Sequence, residues 1–249
     1  MAEIAAGNHY DLRGRVAVIT GGAGGVGQGV ARAFAQSGAA VVIVEREELR
    51  THAEEQAAHL DTSAGQAHTF LPADVLDEAS VAALVAAVLA RHQRLDILVN
   101  LVGGYTAGQP ISELDLATWQ RMQDLNLRSA FLMSKHAAQA MIARRAGRIL
   151  NISARGARSG RKNAGAYAVA KSGIITLTEV QAEEVLEYGI TVNCLLPSII
   201  DTPANRAAMP NAKHDRWPTP EAVARVLLFL ASDDAQLISG AAIPVYGQA

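Results

Sequence analysis

Apolar residues in this chain fall into two patterns that alternate along its length. Short, nearly unbroken apolar runs are separated by longer stretches in which apolar positions recur every three to four residues. The short runs are 16–20, 41–44, 68–71, 95–99, 148–152, 190–195 and 242–245. Several are apolar at consecutive positions, so both faces of the strand need cover, as in a buried parallel sheet. The longer stretches predict helices over 27–36, 80–92, 116–143, 166–187 and 220–231. Thr219 and Pro220 give the last helix a capping side chain and a proline suited to its first turn. Alternating strands and helices require right-handed crossovers. The pattern therefore predicts an α/β chain with a doubly wound parallel sheet of about seven strands. No linker rich in Pro, Ser or charge divides the 249 residues, so one domain is expected over 1–249.

Composition narrows the function classes. Hydrophobic residues make up 50% and charged residues 18%, which supplies a core and excludes a disordered chain. A net charge of -2 gives no general attraction to nucleic acid or to an anionic membrane. The single cysteine, Cys194, lies in an apolar run and cannot form an internal disulfide, so a buried thiol in a reducing compartment is expected. Residues 1–15 hold no long apolar core and read as no signal peptide, and no apolar run reaches a membrane span. A cytoplasmic protein acting on a small molecule is expected, with neither nucleic acid nor membrane as partner and no metal.

Candidate chemistry begins at Thr20-Gly21-Gly22-Ala23-Gly24-Gly25-Val26-Gly27, between the first predicted strand and the first helix. Glycines there permit a tight turn and let backbone N–H groups approach a pyrophosphate at a helix N-terminus. Gly22 to Gly27 fits G-x-G-x-x-G, and its place between strand and helix gives the match its weight. No Gly-Lys-[Ser/Thr] follows, which disfavours a P-loop. Glu45 stands eighteen residues past Gly27, at the end of the second strand. A carboxylate there suits the ribose hydroxyls of NAD, whereas the adjacent Arg46 suits the 2′-phosphate of NADP. The balance favours NAD, with NADP left open.

Tyr167 and Lys171 are four apart on a predicted helix and share one face. A nearby ammonium and a positive nicotinamide would stabilise the phenolate and lower the tyrosine pKa. The pair is thus suited to general acid/base work on an alcohol or carbonyl.

Together these motifs resemble the short-chain dehydrogenase/reductase family, over about residues 15–247. The resemblance implies a single-domain Rossmann-type fold and an NAD(P)-dependent oxidoreductase. It implies that Tyr167 exchanges the proton, that Lys171 tunes it and holds the ribose, and that Asn126 bends its helix and holds a water beside the lysine. Asn100-Leu101-Val102-Gly103 is similar to the family's Asn-Asn-Ala-Gly after the fourth strand. Asp74 resembles the adenine-contacting aspartate, and Thr202 the threonine that meets the nicotinamide carboxamide. The implied cofactor surface is Gly21, Gly25, Val26, Gly27, Glu45, Arg46, Asp74, Val75, Asn100, Val102, Gly103, Tyr167, Lys171, Pro197, Ile200 and Thr202. A homotetramer or homodimer is implied, with the helices at 116–143 and 166–187 as contact surfaces.

Two departures from the family matter. Leu101 replaces the second asparagine, and Ala154, thirteen positions before Tyr167, replaces the serine that orients a substrate carbonyl. Ser153 is adjacent, but neighbours on a strand face opposite sides. It can substitute only if the strand ends or bulges there. Loss of the serine is also a feature of quinonoid dihydropteridine reductases, which the chain partly resembles at Gly103-Gly104-Tyr105 and around 196–210. An electron-poor pterin ring needs no second donor on one oxygen. Ala154, Arg155, Tyr105, Met209 and Trp217 are the expected substrate residues, with 201–218 as a lid. Arg155, Arg158, Arg161 and Lys162 form a basic loop that is either an anion site or a solvated or subunit-contact surface. The alternatives are an ordinary alcohol/ketone dehydrogenase using Ser153, or a non-catalytic dinucleotide-binding sensor.

Overall fold

Seven parallel strands form one sheet in a computed structural model, which describes residues 10–248. They are β1 (Val16–Thr20), β2 (Ala40–Glu45), β3 (Thr69–Pro72), β4 (Ile97–Asn100), β5 (Gly147–Ile152), β6 (Ile190–Pro197) and β7 (Ala242–Val245). The expectation about an export signal concerns residues that lie largely outside the described ones. Their order across the sheet is β3-β2-β1-β4-β5-β6-β7. The chain winds outward from β1 to β3, then crosses back to begin β4 on the other side of β1. Such a reversal opens a crevice at the carboxyl ends of the two central strands. The register sets Thr20 opposite Asn100, Asn100 opposite Asn151, and Asn151 opposite Cys194.

Strand residues alternate between two cores, as a pleated chain requires. Ala17 and Ile19 pack with α1 (Gly27–Gln36) and α9 (Pro220–Ala231), where Phe34 and Leu227 are fully buried. Val16 and Val18 pack on the opposite face with α3 (Glu78–His92), α5 (Ser129–Arg144) and α7 (Gly165–Val185). Asp77 and Thr219 cap α3 and α9 by accepting from Ser80 N and Ala222 N. No helix among the described residues is long and apolar enough to cross a membrane.

The structure departs from the sequence pattern in four places. A helix over Arg50–Ala58, α2, was not expected, because only Ala53 and Ala57 in it are buried and no apolar stripe marks it. The expected helix over 116–143 is two helices, α4 (Leu116–Gln123) and α5, joined by a π turn at Asp124–Arg128. Periodicity misses this break because a single widened turn leaves apolar positions on nearly the same face. The irregular stretch at 201–218 contains α8 (Pro203–Ala208), while a shorter helix, α6 (Gly156–Ser159), precedes α7.

Gly27 fixes how closely α1 approaches β1. A Cβ there would overlap the Gly21 carbonyl oxygen and come 2.6 Å from Gly22 Cα. Both are backbone atoms that cannot move aside cheaply. Gly27→Ala is therefore expected to cost about 2 kcal/mol or more, read as a lower urea midpoint.

Candidate active site

The crevice begins at the turn between β1 and α1. Gly21 has φ +69°, and its N–H donates to Val44 O at 2.9 Å. No side chain caps α1, and no acidic residue stands in its first turn. A helix N-terminus left in this state fits a pyrophosphate, which its backbone N–H groups and dipole would favour. Beyond the turn, Ala23 N donates to Glu45 Oε1 at 3.2 Å, while Gln28 Nε2 donates to Ala23 O at 2.8 Å. His52 Nε2 lies 3.2 Å from the same oxygen. Burial pushes the Glu45 carboxyl above its usual range, partly offset by the Ala23 bond and the charges of Arg46 and His52. Arg46 itself is exposed. Asp74 is exposed and accepts from Leu76 N at 2.9 Å, as in an Asx turn, and Val75 beside it is buried.

Thr20 organises the other wall. Its hydroxyl oxygen accepts from Leu101 N at 3.1 Å and Val102 N at 3.4 Å, which ties the start of the 101–110 loop to the end of β1. Asn100 lies deeper than the sequence implied. Its amide donates to Asn151 Oδ1 at 2.8 Å and Ser134 Oγ at 3.0 Å, so its side chain joins sheet to helix and is not offered to a cofactor.

Asn126 lies in the π turn and is buried. Its Oδ1 accepts from Gly104 N at 3.1 Å, and its Nδ2 donates to Gly104 O and Met122 O, each at 3.1 Å. The π turn gives the expected irregularity in the helix at Asn126, and the side chain clamps both backbone groups of Gly104. A Cβ on Gly103 would fall 2.8 Å from Asn126 Oδ1 and 3.2 Å from Lys171 Nζ. Only glycine allows the loop to pass this close.

Tyr167 and Lys171 share one face of α7, and the buried Lys171 Nζ donates to Ile152 O at 2.8 Å. Ile152 is a site residue that sequence could not reveal, because it acts through its carbonyl. Burial lowers the Lys171 pKa to about 8. Burial, and then the charge of Tyr105, push Tyr167 up to about 12. The expected depression of the tyrosine is thus reversed in the protein alone. A positive nicotinamide would act against this rise. The Tyr105 ring meets the Tyr167 ring edge-on, with centroids 4.9 Å apart and planes at 83°.

The Ser153 hydroxyl, the alternative to the missing serine, is already bonded within the protein. The β5–β6 ladder runs past Ile152, with Ser153 N donating to Leu195 O and Arg155 N to Pro197 O. β5 ends at Ile152, and these two backbone bonds carry its contact with β6 on through Arg155. Its buried hydroxyl donates to the Lys171 carbonyl at 2.6 Å.

After β6 the chain is built more firmly than a free lid. Asp201 N donates to Pro218 O at 2.9 Å, and Asp201 pairs with Arg206 at 2.5 Å. Thr202 caps α8 by accepting from Asn205 N, and its Cβ would lie 3.5 Å from a side chain at Gly25. Ile200 accepts from Asn205 Nδ2 at 2.8 Å, and Met209 ends α8 half-buried. Trp217, expected at the substrate, is 7% exposed and packs on His214, with centroids 4.6 Å apart. It forms the interior of this segment. The basic loop also divides. Arg155 lies over the Tyr246 ring at 5.0 Å, and Arg158 donates to Ala242 O at 3.3 Å, while Arg161 and Lys162 are exposed.

The buried ammonium gives a pH-dependent stability. Between pH 8 and 10.5 the folded chain releases the Lys171 proton while the unfolded chain keeps it. Stability therefore rises with pH in that window, and below it the full penalty of about 3 kcal/mol is present. Lys171→Met removes the penalty but leaves Ile152 O without its donor, a pH-independent cost of about 1 kcal/mol. In urea unfolding, Lys171→Met is expected to be more stable than the native chain at pH 7. The difference should shrink as pH approaches 10; a constant gap would exclude the buried charge as its source. Burial pushes Cys194 up to about 11, and Lys171→Met removes the last and least of the effects that lower it, so the thiol stays protonated in both folded chains up to pH 10.

The chain is similar to known proteins over nearly its whole length. Residues 21–247 match the family described as enoyl-(acyl carrier protein) reductase. The chain is 37% identical to cis-4-hydroxycyclohexanecarboxylate dehydrogenase of Sinomonas cyclohexanicum, over 94% of this chain and 95% of that one. It is 36% identical to galactitol 2-dehydrogenase of Rhizobium johnstonii, over 95% of each. The structure of a short-chain type dehydrogenase/reductase from Mycobacterium ulcerans superposes with a TM-score of 0.90 at 32% identity, covering 96% of this chain and 90% of that one. These matches do not show the resemblance to dihydropteridine reductases. With its seven-stranded parallel sheet and the Tyr167–Lys171 pair at the sheet's carboxyl edge, the chain belongs to the short-chain dehydrogenase/reductase family of oxidoreductases.

Proposed function

We propose that the protein is an NAD(H)-linked dehydrogenase that interconverts a secondary alcohol and a ketone. One arrangement carries this reading: Tyr167 and Lys171 on one helix face, with Lys171 Nζ held on Ile152 O beside Gly103, across the crevice from the glycine turn. The nicotinamide, when bound, supplies the acceptor or donor of hydride. Tyr167 takes the hydroxyl proton in oxidation and returns it in reduction. Lys171 keeps a positive charge beneath the reacting groups at neutral pH. Asn126 acts by holding Gly104, and through it the loop that borders Tyr167.

The preference for NAD rests on Glu45. A carboxylate anchored by Ala23 N at the ribose end of the site would repel a 2′-phosphate. Arg46 could serve NADP, but only with that carboxylate removed or neutralised. Cyclic and polyol secondary alcohols are the first substrates to try, because the relatives are named for 4-hydroxycyclohexanecarboxylate and galactitol. Ala154 favours a second reading, an electron-poor quinonoid pterin that needs no second donor. A homodimer or homotetramer is supported by apolar side chains left exposed on the long helices, among them Leu116, Phe131, Val169 and Val180.

The test is NAD-dependent oxidation of these alcohols by the pure protein, with NADH-dependent reduction of a quinonoid dihydropterin alongside. Turnover of an alcohol that falls about 1,000-fold in Tyr167→Phe is the expected result. Turnover of the pterin alone would move the assignment to the second reading. NADH binding with no turnover of either would leave a dinucleotide sensor. Glu45→Ala is expected to lower the preference for NAD over NADP at least about tenfold, a gap of about 1.4 kcal/mol, in paired kcat/KM measurements.

A further inference from the structure

Ala154 leaves the substrate oxygen one hydrogen-bond donor short, and the hydroxyls closest in sequence to the site are already engaged. Ser153 donates to Lys171 O, Ser172 to Ala157 O and Ala168 O, and Ser198 to Tyr246 O. Thr202 caps α8. Buried or half-buried hydroxyls bonded in this way cannot turn to a ligand without leaving a carbonyl unpaired.

Tyr105 is different. Its ring stands edge-on against that of the proton-exchanging Tyr167, yet it remains 57% exposed. An exposed aromatic side chain is unremarkable on a mobile loop. This loop is fixed on both sides of Tyr105. Gly104 is gripped at its N–H and its carbonyl by the buried Asn126. Thr106 Oγ1 accepts from Arg121 at 3.1 Å, and Gly108 N donates to Asn163 O at 2.8 Å, just ahead of α7. A rigid backbone that presents an accessible side chain beside the reacting group is how a ligand-facing residue is held ready.

We infer that the phenolic hydroxyl of Tyr105 donates the second hydrogen bond to the substrate oxygen, in place of the serine lost at Ala154. The inference rests on the alcohol–ketone reading. In reduction, negative charge grows on the carbonyl oxygen as hydride arrives at carbon, and Tyr167 then delivers the proton. A neutral phenol beside it stabilises that charge without giving up its own proton. The edge-on contact needs only the ring, so the hydroxyl is free for this task. At Gly103 the absence of a side chain leaves room beside Asn126 Oδ1 and Lys171 Nζ, one residue from Gly104.

Tyr105→Phe keeps the ring contact and removes only the hydroxyl. With the best alcohol of the panel, it is expected to lower kcat/KM about 100-fold, mainly through kcat, with the NADH Kd and the urea midpoint unchanged. Ala154→Ser placed on Tyr105→Phe should restore activity at least about tenfold, because it returns a donor from the other side. Turnover by Tyr105→Phe within twofold of the native chain would overturn the proposal, as would a loss that Ala154→Ser does not repair. A native chain that binds NADH but oxidises no alcohol would overturn the functional reading first, and this inference with it. The native control thus distinguishes the two failures.

Discussion

The hydrogen bonds of the Thr20 hydroxyl hold the two halves of this molecule in the relation that makes a site. β1 and β4 are neighbours in space although two strands, β2 and β3, lie between them in the chain. At their shared carboxyl ends, Thr20 Oγ1 receives the N–H groups of Leu101 and Val102. The glycine turn leaves β1 on one side of this junction. The loop that reaches Gly103, Gly104 and Tyr105 leaves β4 on the other. Everything that could hold a dinucleotide or a substrate is placed relative to this seam. The strand pairings behind it are parallel throughout and buried on both faces, so the seam cannot shift without moving the core.

From that seam a second constraint follows, the burial of charge. Lys171 enters the floor of the crevice with Ile152 O as acceptor. The chain gains no stability from an ammonium in that position. It gains a fixed positive charge beneath a phenol that burial alone would keep protonated. Burial disfavours the charged form of both groups, which moves the lysine down and the tyrosine up. Asn126 supports the same region through geometry. By widening one turn of helix, the π segment lets its amide reach the backbone of Gly104 and fix the loop above the lysine.

Most of the fold was legible in the sequence for a simple reason. Strands buried on both faces must be apolar throughout, and the helices that cover them must show one apolar side. All seven strands were visible on that basis, with ends displaced by one or two residues. The element that escaped, α2, covers the sheet with two alanines and offers solvent the rest. The site was legible in its types and spacing: glycines where a turn needs them, and a tyrosine and lysine four apart. Its connections were not. Trp217 reads as an aromatic in a lid, but it fills the interior of the segment that carries it. Arg155 reads as either an anion ligand or a surface charge, and the sequence gives no sign that it lies over the ring of Tyr246.

The sequence by itself determined the layered α/β architecture, the place of the glycine turn and the common helix face of Tyr167 and Lys171, because each depends on neighbours within a few residues. It also carried the loss of the serine at Ala154. Tertiary structure alone decided what that loss means. Whether Ser153 was free to compensate depended on α7, eighteen residues on, where its hydroxyl donates to the Lys171 carbonyl. That Tyr105 stands against Tyr167 depended on Asn126 holding Gly104. Side chains brought together from separate loops leave no periodic trace in a sequence, since their contact is fixed by the packing of the elements between them.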